Sequence, residues 1–292
     1  ITVAFIWGGT FIAGRQLAID VPPLLSAFFR FLIACIVLSI ISPPKRKHFQ
    51  LIKDQHWQRI FLMGLTGVFF YNVCFFYGFQ YISASRGSLI VALNPTVIGL
   101  VSFLFFNEKI GPIRWLGIIL SLLGVSVVII GNDPQALSME VDAWKGDLLI
   151  LGCVASWATY SIVAKPVIDG LGATSAVFYS LLVGTALLFL LALSLGDLTF
   201  INIKNIGLTS WGSLLFLGGL GSAVAYVLYY KSIGLIGATS AGVYIALVPI
   251  FGVSLGALLL DEKVTLSLIL GGAAATIGVY LSSFNHQKQK AL

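Results

Sequence analysis

The sequence predicts an all-α integral membrane protein of ten transmembrane helices, arranged as two inverted five-helix repeats. Three observations carry that prediction. The 292 residues are 58% hydrophobic and 10% charged, whereas an average soluble chain has about 25% charged residues. Ten apolar runs follow one another over 1–19, 24–42, 60–81, 83–106, 112–131, 146–167, 174–195, 208–233, 237–260 and 265–284. Each is close to the ~20 residues that a helix needs to cross ~30 Å of hydrocarbon. Finally, residues 83–109 align without gaps on 237–263, with seven of 27 positions identical, among them Ala92/Ala246, Leu93/Leu247, Pro95/Pro249, Glu108/Glu262 and Lys109/Lys263.

The internal repeat covers almost the whole chain. Its offset is 154 residues in that stretch and again further forward, where Gly117 pairs with Gly271 and Gly124 with Gly278. Further back the offset is 150, pairing Trp7 with Trp157 and Arg15 with Lys165. The chain therefore divides into a first repeat, 1–131, a linker, 132–145, a second repeat, 146–284, and a tail, 285–292. Five spans per repeat is an odd number, so the second repeat enters the bilayer from the opposite face.

Basic residues of short loops set the orientation. Lys45, Arg46, Lys47, Lys53 and Arg59 cluster after the second span, and Lys109, Arg114, Lys165, Lys231, Lys288 and Lys290 fall on the same side. The other side has Arg15, Arg86, Lys145, Lys204 and Lys263 with eight of the eleven acids. Both termini are expected in the cytoplasm of a bacterial inner membrane, with the linker periplasmic. The net charge of +6 is concentrated in one juxtamembrane loop, which reads as a topology signal and not as a nucleic-acid surface. The lipid bilayer and a small-molecule substrate are the partners implied.

Taken in order, the spans depart from plain membrane helix at matched places. The first and sixth carry Trp7 and Trp157 near mid-membrane, although tryptophan favours the headgroup belt. One turn on lie Thr10 and Phe11 in the first span, and Tyr160 and Ser161 in the sixth. Aromatic rings with polar handles suit a cavity that grips a small amphipathic molecule, and a tryptophan closing an internal void is the competing explanation. Arg15 and Lys165 lie near helix ends, where they anchor to the interface or collect anions. In the second span Arg30 is a formal charge well inside the membrane, with Ser180 its mate in the seventh; it either snorkels outward or meets a carboxylate or phosphate of the substrate.

The third and eighth spans pair Asn72 with Tyr226, flanked by Tyr71, Phe75 and Phe76 in one and by Tyr229 and Tyr230 in the other. Asn72 and Asn94 must face another helix or a wet cavity, because an unpaired amide in hydrocarbon is costly. Pro95 and Pro249 interrupt the fourth and ninth spans at the same depth, as bend points near a binding site or as packing kinks. Tyr244 of the ninth span joins the candidate cavity residues. The fifth and tenth spans share small residues at four-residue spacing, which allow close helix approach within the chain or at a homodimer face.

What is missing also bounds function. No Asp, Glu or His lies in the interior of a span, and His48, His56 and His286 fall in polar segments. No nucleophile–base pair, metal ligand set or cofactor motif assembles, so an intramembrane enzyme is not indicated. Cys35, Cys74 and Cys153 form no CxxC or Cys/His cluster and read as small buried residues.

These features resemble the drug/metabolite transporter superfamily, in particular its EamA-type ten-helix members. The likeness rests on the opening from Trp7 to Arg15 and its counterpart around Trp157, on the ALNP and ALVP motifs at 92–95 and 246–249, and on the NEK and DEK motifs at 107–109 and 261–263. The glycine-rich fifth and tenth spans complete it. The resemblance implies a central cavity ringed by the first four spans of each repeat, worked by alternating access. Similar proteins export amino acids and other metabolites, and some carry nucleotides, sugars or phosphorylated compounds. Small multidrug members keep a glutamate in their first helix; this chain has none there.

Overall fold

Hydrophobic patterning is realised as helix throughout. The computed structural model describes residues 1–41, 54–106, 111–132, 142–229 and 247–282, and among them every regular element is helical. In chain order these are α1 (Thr2–Asp20), α2 (Pro23–Ile41), and α3, formed by Asp54–Met63, Gly64–Phe70 and Tyr71–Gly78 joined end to end. Next come α4 (Ala84–Val91), α5 (Asn94–Phe106), α6 (Pro112–Asn132), α7 (Ala143–Leu171) and α8 (Ala173–Ser194). The short α9 (Phe200–Lys204), α10 (Leu208–Leu215 joined to Phe216–Val224), α11 (Val248–Leu259) and α12 (Leu266–Ser282) complete the fold.

Among the described residues seven helical stretches are long and apolar enough to cross a membrane, and α11 and α12 are shorter apolar helices. Their outward faces carry Ile36 and Ile40, Leu116 and Leu123, Leu190 and Leu193, and Ile269 and Leu270, all well exposed. So much apolar surface would be a liability in water and is the natural surface in lipid.

The fourth expected span is broken. Pro95 cannot donate the bond that the Val91 carbonyl would receive in a continuous helix. The chain turns at Ala92 and Leu93, with Leu93 donating to the Ile90 carbonyl at 3.0 Å, and α5 restarts at Asn94. α11 begins at Val248, also directly before a proline, Pro249. Both prolines thus occupy a first helical turn, where a missing donor costs nothing. The first part of the ninth span, residues 237–246, lies outside the described residues.

α3 and α10 share a feature with no counterpart in the expectations above. Gly64–Phe70 and Phe216–Val224 are wound as π-helix, a form that is uncommon and frequent at functional sites. Glycine makes both possible through close approach. A methyl group at Gly67 would overlap the Tyr160 ring, and one at Gly218 would overlap the Arg30 carbonyl.

α6 and α12 pack along each other's length. A Cβ at Gly117 would strike the Gly278 carbonyl, and one at Gly271 the Gly124 carbonyl, so the two backbones touch. Thr96 hydrogen-bonds both Ser121 of α6 and Ser282 of α12, at 2.9 and 3.4 Å, and Arg114 Nε donates to the Ser282 carbonyl at 3.1 Å. The small-residue stripes of the fifth and tenth spans therefore face each other within the chain.

Candidate functional site

The π turns aim polar groups into the middle of the bundle. In α3 the Val68 carbonyl accepts from Asn72 Nδ2 at 2.7 Å. In α10 the Gly221 carbonyl accepts from Trp7 Nε1 at 3.1 Å, and Ser222 accepts from Arg30. A helix whose bonds reach one residue further leaves carbonyls poorly used by the ladder, and both turns offer theirs to side chains.

Arg30 sits at the centre of this arrangement. It is 8% exposed, at the eighth residue of α2, and it does not snorkel. Its Nε donates to Ser222 Oγ and its Nη1 to Asn72 Oδ1, both at 3.1 Å. The guanidinium carbon lies 5.1 Å from the Phe31 ring centre and 5.3 Å from that of Phe75, within cation–π range. Asn72 is fully buried and spends its amide on holding Arg30 and on Val68, which fixes its rotamer.

Around this polar knot stands a set of rings. Tyr71 stacks on Phe75 at 6.0 Å and meets Trp157 edge-on at 5.8 Å. Trp157 stacks on Tyr160 at 5.2 Å and meets Tyr226 at 6.3 Å. Tyr226 and Tyr229 both approach Trp7, at 5.9 and 5.4 Å. Trp7, Tyr71, Trp157 and Tyr226 come from α1, α3, α7 and the end of the eighth span, two from each half of the sequence, and each is partly exposed. Tyr160 is buried.

Trp7, Arg30, Tyr71, Asn72, Phe75, Trp157, Tyr160 and Tyr226 are thus brought together. Thr10 and Ser161 are not aimed at the group, since both hydroxyls donate to the carbonyl of the tryptophan on their own helix, at 2.6 and 2.8 Å. Asn94 makes no hydrogen bond to it among the described residues, and its Oδ1 is buried without a partner. Tyr230 and Tyr244 lie outside the described residues. Ser222 and the two π-turn carbonyls are the partners that sequence reasoning missed. The glycine-rich run ahead of Ser222, Gly218-Gly219-Leu220-Gly221, is the one sequence feature at this place, and glycines serve ordinary close packing as well.

A second polar region lies at the bundle end where α1 and α3 finish and α4 and α7 begin. Arg86 grips Asp147 through two bonds, Nε to Oδ1 at 2.8 Å and Nη2 to Oδ2 at 2.5 Å, with both side chains almost fully buried. Glu262, just beyond α11, accepts from the Ala84 and Ser85 amides at 2.7 and 2.9 Å and so caps α4. Arg15 donates to the Phe79 carbonyl. A cleft of about 290 Å³ opens here between Arg15, Asp20, Ser83 and Glu262. Among the described residues no group of acids, histidines and cysteines could hold a metal ion.

A model of the EamA-like transporter family matches residues 1–130 and 144–284. The chain belongs to this family. Relatives of similar length include the uncharacterized transporter YoaV of Bacillus subtilis, 25% identical over 99% of this chain and 97% of its own. An uncharacterized transporter of Archaeoglobus fulgidus is 26% identical over 96% and 95%. A solved crystal structure superposes with a TM-score of 0.65 at 19% identity, covering 96% of this chain and 93% of its own, a likeness of fold alone. Membership makes the protein an integral membrane transporter, and the names of these relatives specify no substrate.

Proposed function

We propose that this transporter exports small amphipathic metabolites, amino acids or their derivatives, by alternating access. The observation that carries the reading is the convergence of rings from four helices, two in each half of the sequence, beside a buried guanidinium. Flat rings provide a contact surface for the apolar part of a ligand, and Arg30 orients its polar head. In this reading the ten spans form two inverted repeats in a bacterial inner membrane, with both termini cytoplasmic. The end bearing Arg86, Asp147 and Glu262 then faces outward. Pro95 and Pro249, each in the first turn of its helix, let α5 and α11 pivot as the site opens to one side and then the other.

Counterflow uptake of a labelled amino-acid and N-acyl amino-acid panel into proteoliposomes tests this directly. Replacing Trp157 by Ala removes the ring that touches Tyr71, Tyr160 and Tyr226. Uptake should fall by about tenfold or more, the usual cost of losing an aromatic anchor, while membrane insertion is unchanged. Undiminished uptake by Trp157→Ala would remove the ring cluster from the transport path.

A further inference from the structure

We infer that the ring site takes organic monoanions, and that the protein is an electrogenic anion uniporter whose net direction is set by the membrane potential. This rests on the transport reading above. It follows from a buried charge that the protein does not neutralise.

Arg30 is held by oxygens of Ser222 and Asn72, which are neutral and leave its full charge in place. Its Nη2 makes no hydrogen bond among the described residues. The ion pairs among the described residues are Arg86–Asp147 and Lys145–Asp142, and neither involves Arg30. Sequence closes the remaining route. Residues 230–246, which complete the eighth and ninth spans, contain no Asp or Glu, and no acid falls in the interior of any span. A desolvated cation without a counter-charge is costly in the membrane interior. The missing charge has to arrive with the ligand.

The geometry defines that ligand's chemistry. A carboxylate accepts from a guanidinium in the plane of the fork, and one carboxylate balances one Arg30. The doubly charged phosphate of a phosphorylated metabolite would leave a second charge unmatched. An ammonium group would find no carboxylate in the site. A flat apolar group fits the partly exposed faces of Trp7, Tyr71, Trp157 and Tyr226. The favoured ligand is therefore an amino-acid derivative that has lost its ammonium charge, such as an N-acyl amino acid, rather than the zwitterion.

Charge balance then fixes the energetics. The loaded site is neutral and the empty site carries one positive charge, so each turnover exports one elementary negative charge and requires no coupling ion. An inside-negative potential draws the empty, positive site back to face the cytoplasm. At equilibrium a potential of about 100 mV sustains roughly a 50-fold concentration ratio of a monovalent anion.

Proteoliposomes clamped with valinomycin and a potassium gradient test this, with labelled N-acetylphenylalanine, phenylalanine and phenethylamine as anion, zwitterion and cation bearing one ring. N-acetylphenylalanine should move about tenfold faster than the other two, and it should accumulate on the positive side toward roughly 50-fold at about 100 mV. Arg30→Lys should retain the preference for the anion. Arg30→Gln, shown to be monodisperse, should lose it. Phenylalanine carried as fast as the anion, a ratio indifferent to potential, or an anion preference that survives Arg30→Gln would each overturn the inference and leave the transport reading standing. No flux of any of the three would overturn the ring site itself, and the inference with it.

Discussion

Two buried arginines mark two regions of the molecule, and they are treated in opposite ways. Arg86 lies at the bundle end in a two-bond pair with Asp147, charge against charge. Arg30 lies in the middle with an amide, a hydroxyl and aromatic rings, and no carboxylate. Both are equally hidden, at 5% and 8% exposure. A charge that exists to hold helices together is neutralised by the fold. In the proposed reading Arg30 meets a ligand instead, and it is positioned by neutral groups because an internal carboxylate would compete with the ligand for it.

The comparison is broken most forcefully at the bundle end. Arg86→Gln leaves Asp147 buried without its counter-charge, which should cost about 3–5 kcal/mol. Thermal unfolding in detergent reads this as a large fall in midpoint. Adding Asp147→Asn should recover most of the loss, because the two amides are again matched. If the double variant is as unstable as the single one, the pair is not acting through its charges. Glu262→Gln is a milder version at the same end. It keeps an acceptor for one of the two amides, Ala84 or Ser85, turns an NH2 group towards the other, and removes the negative charge at the start of α4. About 1 kcal/mol is expected, the usual value of a helix cap or of a charge at a helix dipole. The same unfolding assay checks it.

The difference between the two arginines was only partly legible in the sequence. Arg30 stood out because an ionisable residue eight positions into an apolar helix has few structural uses. Asn72, Trp7, Trp157 and the prolines were legible from their matched depth in the two halves. Asp147 is the second residue of the apolar run that begins at 146. The helix itself begins at Ala143, so Asp147 lies a turn inside it. Apolar runs measure lipid thickness, whereas helix ends are set by backbone propensity and caps, and Ala143, Trp144 and Lys145 extend a helix readily. The π turns left no clear trace either. Gly64 and Gly67 in one helix, and Gly218 and Gly221 in the other, were visible as small residues, but the same pattern serves ordinary close packing in α6 and α12. Which carbonyl a turn releases depends on its three-dimensional register, and so the Ser222 and Gly221 contacts could not be derived from spacing.

The sharpest form of the comparison is also its smallest stability effect. Arg30→Gln removes a buried cation but keeps an amide able to bond Asn72 and Ser222. Replacing a buried charge by a neutral group is often neutral or slightly stabilising. Without ligand, the variant should therefore unfold within about 1 kcal/mol of the parent protein, in contrast to Arg86→Gln. The difference should appear when an anion is added. A ligand at about 100 times its dissociation constant stabilises the state it binds by about 2.7 kcal/mol. N-acetylphenylalanine should raise the unfolding midpoint of the parent protein by that equivalent, and leave Arg30→Gln where it was. A variant that loses as much stability as Arg86→Gln does would mean that Arg30 is a structural charge after all. Its partner would then have to lie within the protein, and the asymmetry between the two arginines would be one of position alone.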